Sequence, residues 1–204
     1  RSGTVWLWDV RTGKKIWSFP ESDKPIRFFA WSPSGDMLAI ASDSGVISII
    51  ETRSRDKVLA IPGGGERSIF TVVWSLDGST ILYLKGNTIT LYNLERRATV
   101  WAFGLGKLSS ALGLSWSPTG EILACGCENG MVLILESKSG HLLRQLDWGS
   151  KNVLSLSFSS DGHYLAAGTG KGEVCVWRCD VWERVADFGK TISSKRDVAF
   201  HPIE

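Results

Sequence analysis

The stretch Ala30-Trp31-Ser32-Pro33-Ser34-Gly35 recurs along the chain. Val73-Trp74-Ser75-Leu76-Asp77-Gly78, Ser115-Trp116-Ser117-Pro118-Thr119-Gly120 and Ser157-Phe158-Ser159-Ser160-Asp161-Gly162 repeat its pattern, and Ala199-Phe200-His201-Pro202 opens a fifth copy. The aromatic residues at 31, 74, 116, 158 and 200 stand 43, 42, 42 and 42 residues apart. A second column, Trp8, Ile50, Tyr92, Leu135 and Trp177, is spaced 42, 42, 43 and 42. Two independent columns with one period across the whole chain establish an internal repeat, and the repeat decides the fold.

Each repeat reads as four short strands. In the second, residues 27–31 form the first strand and Ser32-Pro33-Ser34-Gly35 turns the chain. Residues 37–41 follow, then a turn at Asp43-Ser44-Gly45, then strands over 46–50 and 58–61. No stretch sustains a helical apolar period. Four strands per roughly 40–45 residues make the blade of a β-propeller. The predicted fold is all-β, a single propeller segment over 1–204 with four-stranded antiparallel blades. It holds about four and a half repeats, with boundaries near 1–21, 22–64, 65–106, 107–148, 149–190 and 191–204.

Composition agrees and excludes other classes. Of the 204 residues 43% are hydrophobic and 22% charged, which is globular usage and not that of a disordered chain. The formal charge is only +2, which argues against a strongly basic nucleic-acid-coating protein. No apolar run approaches the roughly 18 residues of a membrane span, and Arg1-Ser2-Gly3 shows no apolar signal core. Four cysteines are too few for a disulfide scaffold, so a reducing, intracellular setting, cytoplasmic or nuclear, is expected.

The third strand of the first repeat, Gly3-Thr4-Val5-Trp6-Leu7-Trp8-Asp9-Val10, ends in Trp-Asp, and with the Trp-Ser-Pro-x-Gly turns it resembles the WD-repeat family. The resemblance covers the chain in period and pattern but departs in detail. The other repeats read Ile50-Glu51, Tyr92-Asn93, Leu135-Glu136 and Trp177-Arg178. The family's histidine positions hold Ser22, Gly65, Lys107, Gly149 and Thr191, and its turn-aspartate positions hold Ser2, Ser44, Gly86, Asn129 and Lys171. The family's hydrogen-bonded tetrad is therefore not expected, and apolar packing must hold the blades. The resemblance also implies more blades, commonly seven, or about 290 residues at this period. The expectation is a piece of a larger propeller over a closed five-bladed ring.

Packing is readable from the columns. Phe29, Val72, Leu114, Leu156 and Val198 precede the aromatic column by two, and Ala30, Val73, Ser115, Ser157 and Ala199 lie between the two. Period-2 alternation puts large residues on one face of the first strand and small ones on the other. The aromatics at 31, 74, 116, 158 and 200 are thus expected in the core. In the fourth strands the columns from Ile16 to Val185 and from Phe19 to Phe188 read as blade packing. The column between them, Trp17, Leu59 and Trp101, reads as inter-blade packing over an exposed stripe.

No chemistry assembles. His141, His163 and His201 share no metal-ligand spacing and no nucleophile motif. Cys125 and Cys127 alternate on one strand face, Cys175 and Cys179 flank another strand, and neither pair has zinc-knuckle spacing, so all read as small buried thiols. Gly168-Thr169-Gly170-Lys171-Gly172 has phosphate-loop composition, but a strand follows it. Gly189-Lys190-Thr191 lacks the upstream glycine of a P-loop, where Arg184 stands. No catalytic residue, cofactor or metal is expected, and the chain is not read as an enzyme.

What remains is surface. The turns between third and fourth strands carry Arg11, Lys14 and Lys15, then Arg53, Arg55 and Lys57, then Arg96 and Arg97. The loops entering the first strands carry Lys24, Arg67 and Lys151 in one column, with Lys107 and Lys195 nearby and Trp148 as an exposed anchor beside them. Protein-binding candidates are accordingly Arg53, Arg55, Arg96, Arg97, Lys24, Arg67, Lys107, Trp148 and Lys151. The resemblance implies a non-enzymatic protein–protein interaction scaffold, a subunit of a multiprotein complex binding other proteins. Two alternatives stand beside it. One is a cullin-type ubiquitin-ligase receptor, whose Trp-Asp-x-Arg pattern Trp8-Asp9-Val10-Arg11 fits. The other is a nucleic-acid-associated propeller using its basic face.

Overall fold

The computed structural model describes residues 3–22, 24–62, 69–106, 111–149, 152–189 and 198–200. All regular structure there is strand. β1 (Gly3–Trp8) and β2 (Lys15–Ser22) form a two-stranded antiparallel ladder. The next repeat supplies β3 (Ile26–Trp31), β4 (Met37–Ser42), β5 (Val46–Glu51) and β6 (Lys57–Pro62), paired in chain order. β7 (Ile69–Trp74), β8 (Thr80–Lys85), β9 (Thr88–Asn93) and β10 (Ala98–Gly104) make the next sheet. β11 (Ala111–Trp116), β12 (Ile122–Cys127), β13 (Met131–Glu136) and β14 (Leu142–Asp147) make another. β15 (Val153–Phe158), β16 (Tyr164–Thr169), β17 (Val174–Arg178) and β18 (Glu183–Phe188) complete the series. Four sheets are thus four-stranded meanders, the blades that the repeat predicts. The chain forms two compact units, Arg1–Gly86 and Asn87–Glu204.

The repeated Ser-x-x-Gly turn has a clear physical basis. Gly35, Gly78, Gly120 and Gly162 all take φ between 70° and 75°, which favours glycine. Each donates its N–H to the carbonyl of the serine three residues before it, at 2.9–3.0 Å. The serine hydroxyls, buried at Ser32, Ser75, Ser117 and Ser159, accept the N–H of Met37, Thr80, Ile122 and Tyr164 at 2.9–3.1 Å. A buried hydroxyl closes the same turn four times.

The two middle strands of each blade are nearly continuous apolar runs, such as Met37-Leu38-Ala39-Ile40-Ala41 and Met131-Val132-Leu133-Ile134-Leu135, and their interiors are buried. Alternation is lost because both faces of a blade are covered. In the first unit β7 packs on β3 and β4, and in the second β15 packs on β11 and β12. Ala124, Val132, Ile134, Leu146, Trp148, Val153, Leu156, Leu165, Ala167, Cys175 and Trp177 form one apolar core in the second unit. Leu38, Ile40 and Ile50 form a smaller one in the first, with Val5, Trp17, Phe19 and Ile26 packed on it.

Small residues set the blade spacing. A Cβ on Gly126 would lie 2.6 Å from Val153 Cγ1 and 2.8 Å from Val153 O, and one on Gly113 would lie 2.8 Å from Leu154 O. Trp74 Nε1 donates to Ala30 O of the neighbouring blade at 2.8 Å. The corresponding Nε1 of Trp116 is buried without a partner among the described residues.

Three expectations about packing need correction. Trp31 is 41% exposed and Phe29 64%, whereas Trp74 and Val72 of the next blade are buried. Thr4, Val5, Trp6 and Leu7 of β1 face Ile26, Phe29, Trp31 and Leu38 across an apolar groove of about 280 Å³, which leaves the Phe29 and Trp31 rings open. The column Ile16, Val58, Val100, Leu143 and Val185 is also not interior, at 40–49% exposed. Each of these residues is the extra one in a β-bulge of the outermost strand, where the register slips against the third strand. The third concerns Phe188, which is exposed, although Ile61 and Leu146 of the same column are buried. The middle column does pack between blades. Trp101 Nε1 donates to Ser137 O at 2.7 Å, and Trp17 lies 5.5 Å from Phe19 on the first unit's core.

The tetrad positions are filled differently. Asp43, one residue before the family's aspartate position at Ser44, is buried and accepts Arg27 Nε at 2.7 Å and Nη2 at 2.8 Å. Arg27 is the bulged residue of β3, so its side chain turns toward the β4–β5 turn. That bond, and the attraction of the carboxylate, raise the Arg27 pKa further. The bulge column reads Arg27, Phe70, Leu112 and Leu154 in the described strands, so among these the second repeat alone places a cation there; Arg196, next in the column, lies outside the described residues.

Candidate functional site

The turns between third and fourth strands are built alike. Gly13 donates its N–H to Asp9 O at 2.8 Å, Arg55 to Glu51 O at 2.9 Å, Gly140 to Glu136 O at 2.9 Å and Trp182 to Arg178 O at 2.8 Å. The residue closing each turn lies in the left-handed region, with φ of 65° at Gly13, 69° at Arg55, 51° at Arg97, 72° at Gly140 and 58° at Trp182. In the first turn the Asp9 carboxylate accepts the N–H of Arg11 at 2.8 Å and of Thr12 at 2.9 Å. Asn93 does the same for Arg96 at 2.7 Å.

These turns lean on the turns between first and second strands of their own blade. Thr52 donates its N–H to Asp36 O, Ser137 to Glu121 O and Cys179 to His163 O, at 2.8–2.9 Å. Backbone geometry therefore brings both turn sets to one end of each blade, as the strand order predicts.

Arg53, Arg55, Arg96 and Arg97 are all exposed. Arg53 and Arg55 belong to the first unit and Arg96 and Arg97 to the second. Arg53 makes a loose ion pair with Asp36 at 3.6 Å. Lys15 lies 3.8 Å over the Trp6 ring and Lys57 5.8 Å over Phe19, so both are engaged with aromatic faces.

The loops entering the first strands are less uniform. Lys24 is exposed, while Arg67, Lys107 and Lys151 lie outside the described residues. Trp148 is not an exposed anchor. It is 6% exposed and meets Trp177 edge-on at 6.1 Å within the second unit's core. Its N–H bonds back to Gly130 O at 3.3 Å, which folds the start of the loop onto the blade and carries the ring inward.

The thiols are packing groups. All four cysteines are unpaired. Burial pushes Cys175 up to about 12 and Cys179 up to about 11. Contact with the Cys127 thiol, together with burial, raises Cys125 as well. The sequence 168–172 is the β16–β17 turn, closed by Gly172 N–H to Thr169 O at 3.0 Å. His163 pairs with Asp161 at 3.0 Å on the surface, and no third titratable group joins them as a metal cluster among the described residues.

Sequence reading missed two features of this surface. The left-handed residues at 55 and 97 leave one trace, glycine at the equivalent positions 13 and 140. The outward aliphatic bulges leave none, because a bulge changes register without changing residue type.

The family model described as "IFT140 first beta-propeller" matches residues 83–194, more than half of the chain. The "Anaphase-promoting complex subunit 4 WD40 domain" matches residues 2–77. WD repeat-containing protein 1 of Gallus gallus is 26% identical over 167 residues, covering 78% of this chain and 27% of that protein. "Cell division cycle 20.5, cofactor of APC complex" of Arabidopsis thaliana is 27% identical over 138 residues, covering 67% and 30%. Topless-related protein 4 of the same plant is 24% identical over 181 residues, covering 84% and 14%. The chain thus spans less than a third of each of these three relatives.

Proposed function

The chain belongs to the WD-repeat β-propeller family, and from that premise we propose that it is a non-enzymatic protein–protein interaction scaffold, serving as a subunit of a multiprotein complex. The observation that carries this reading is the set of third-to-fourth-strand turns. Four of them are closed by backbone bonds and the third by the Asn93 side chain on the Arg96 N–H, and Arg53, Arg55, Arg96 and Arg97 are exposed on the second and third. Rigid turns presenting guanidinium groups suit recognition of carboxylates on a partner protein. Relatives named as a cofactor of the APC complex and as Topless-related support the scaffold reading. Unpaired thiols suit a reducing compartment, and an intracellular location goes with this proposal.

The test is affinity capture of the complete chain from its native source, followed by binding kinetics with the captured partner. Charged groups at an interface rim govern association more than residence. Changing Arg53, Arg55, Arg96 and Arg97 together to glutamate is expected to slow association at low salt, with the melting temperature unchanged. Equal association rates for parent and variant would remove these turns from the binding surface.

A further inference from the structure

Five turns ask for the same backbone conformation, and the chain answers in three ways. At Gly140 a side chain is excluded on two counts, since φ is 72° and a Cβ would lie 2.7 Å from the Trp101 ring. At Gly13 there is open space, with nothing within 4 Å of a Cβ, so glycine serves the conformation alone. Trp182 takes the strained conformation at φ 58°, but its ring packs against the second unit's core, which offsets the cost. Arg55 and Arg97 differ from all three. They hold φ of 69° and 51°, they are exposed, and no hydrogen bond or ion pair engages either guanidinium among the described residues. Nothing among the described residues offsets their strain.

Backbone strain that packing does not compensate concentrates at functional positions. We infer that Arg55 and Arg97 are recognition anchors, each by itself gripping a carboxylate of an acidic segment on a partner protein, Arg55 in the first unit and Arg97 in the second. This deepens the scaffold reading and rests on it. A left-handed residue at the end of a closed turn projects its side chain from a fixed root. A planar guanidinium on such a root holds a carboxylate bidentately with little further ordering. The surroundings favour spaced carboxylates over a continuous polyphosphate. Glu51 and Asp56 lie near the first arginine in the chain and Glu95 near the second, and they repel an unbroken run of negative charge more than single, separated acidic side chains.

The distinguishing experiment replaces each arginine by the residue the backbone asks for. The complete chain, its Arg55→Gly/Arg97→Gly variant and its Arg55→Lys/Arg97→Lys variant are titrated with a fluorescein-labelled peptide of glutamates separated by Gly-Ser spacers, and in parallel with polyuridylate. The glycine variant is expected to bind the spaced acidic peptide at least about tenfold more weakly, with a melting temperature equal to or above the parent's. The lysine variant is expected to recover only part of that loss. Unchanged binding of the acidic peptide overturns the inference, and so does a fall in melting temperature accompanying the loss, because the side chains would then support the fold. Tighter binding of polyuridylate than of the acidic peptide by the parent, with the same loss on substitution, assigns the anchors to nucleic acid and overturns it too. If affinity capture yields a partner that the glycine variant retains equally, the inference fails and the scaffold reading stands. If capture yields no partner protein at all, the scaffold reading itself fails.

Discussion

Gly126→Ala tests the closest approach in the fold. The added Cβ would stand 2.6 Å from Val153 Cγ1, 2.8 Å from Val153 O and 3.0 Å from Val153 Cβ. Carbon atoms at best contact lie about 3.5–4.0 Å apart. The neighbour must therefore retreat by roughly 1 Å. Val153 is fully buried, and one of its crowded atoms is backbone, so no rotamer change relieves both contacts. Overpacking of this kind costs about 1–3 kcal/mol. Alanine itself gains about 0.5–1 kcal/mol over glycine in a strand interior. The net expectation is a loss of about 1–2 kcal/mol in denaturant titration, with an unchanged slope. Gly104→Ala is the matched control. Gly104 also lies in a strand, but nothing stands within 4 Å of its Cβ position, so that variant should gain about 0.4–1 kcal/mol. Val153→Ala removes the Cγ1 contact but not the carbonyl contact. The double variant should therefore be less destabilised than the sum of the singles by about 1 kcal/mol. If Gly126→Ala is as stable as the parent, or matches Gly104→Ala, then β12 and β15 are not packed as closely as described, and the small-residue account of blade spacing is wrong.

Three further outcomes follow from particular atoms. Trp74→Phe should cost about 0.5–1.5 kcal/mol more than Trp116→Phe, because the first deletes a hydrogen bond to Ala30 O and the second removes an indole N–H with no partner among the described residues; paired denaturant titrations measure the difference. A thiol reagent at mild alkaline pH should modify Cys125 and Cys175 slowly in the folded protein and all four cysteines rapidly in urea, since burial raises both of those thiols. Asp161 is held down at about 2, first by the Ser159 hydroxyl and then by the His163 N–H. A depressed carboxyl contributes its stability above its unfolded value of about 3.9 and loses it as pH falls toward about 2, so Asp161→Asn should flatten the acid limb of a pH–stability curve between those values.

Legibility varied with how far an effect reaches along the chain. The Ser-x-x-Gly turns were readable because every atom that closes them lies within six residues. The middle strands were readable because a surface covered on both faces demands an unbroken apolar run. Trp148 misled because its position beside cations suggested a wet loop, while Trp177, some thirty residues away, supplies the face it packs against. The arginine turns were half legible. Their charge stood in the sequence, but their strain appears only when four residues of turn are given dihedral angles.

The sequence by itself determined the period, the strand count of each repeat, the turn chemistry and the apolar identity of the blade interiors. These follow from alternation, from glycine's access to positive φ and from a repeat that places like residues in like surroundings. Tertiary structure alone decided which apolar columns are covered. Ile16, Val58, Val100, Leu143 and Val185 look interior by composition but face outward, because one extra residue in the outermost strand reverses the pleat. It alone decided that Asp43 would find Arg27 where the family's tetrad is missing, because that pairing depends on a bulge aiming one side chain at a turn sixteen residues on. Residue type sets what a side chain can do, while register and the proximity of a neighbouring sheet set what it meets.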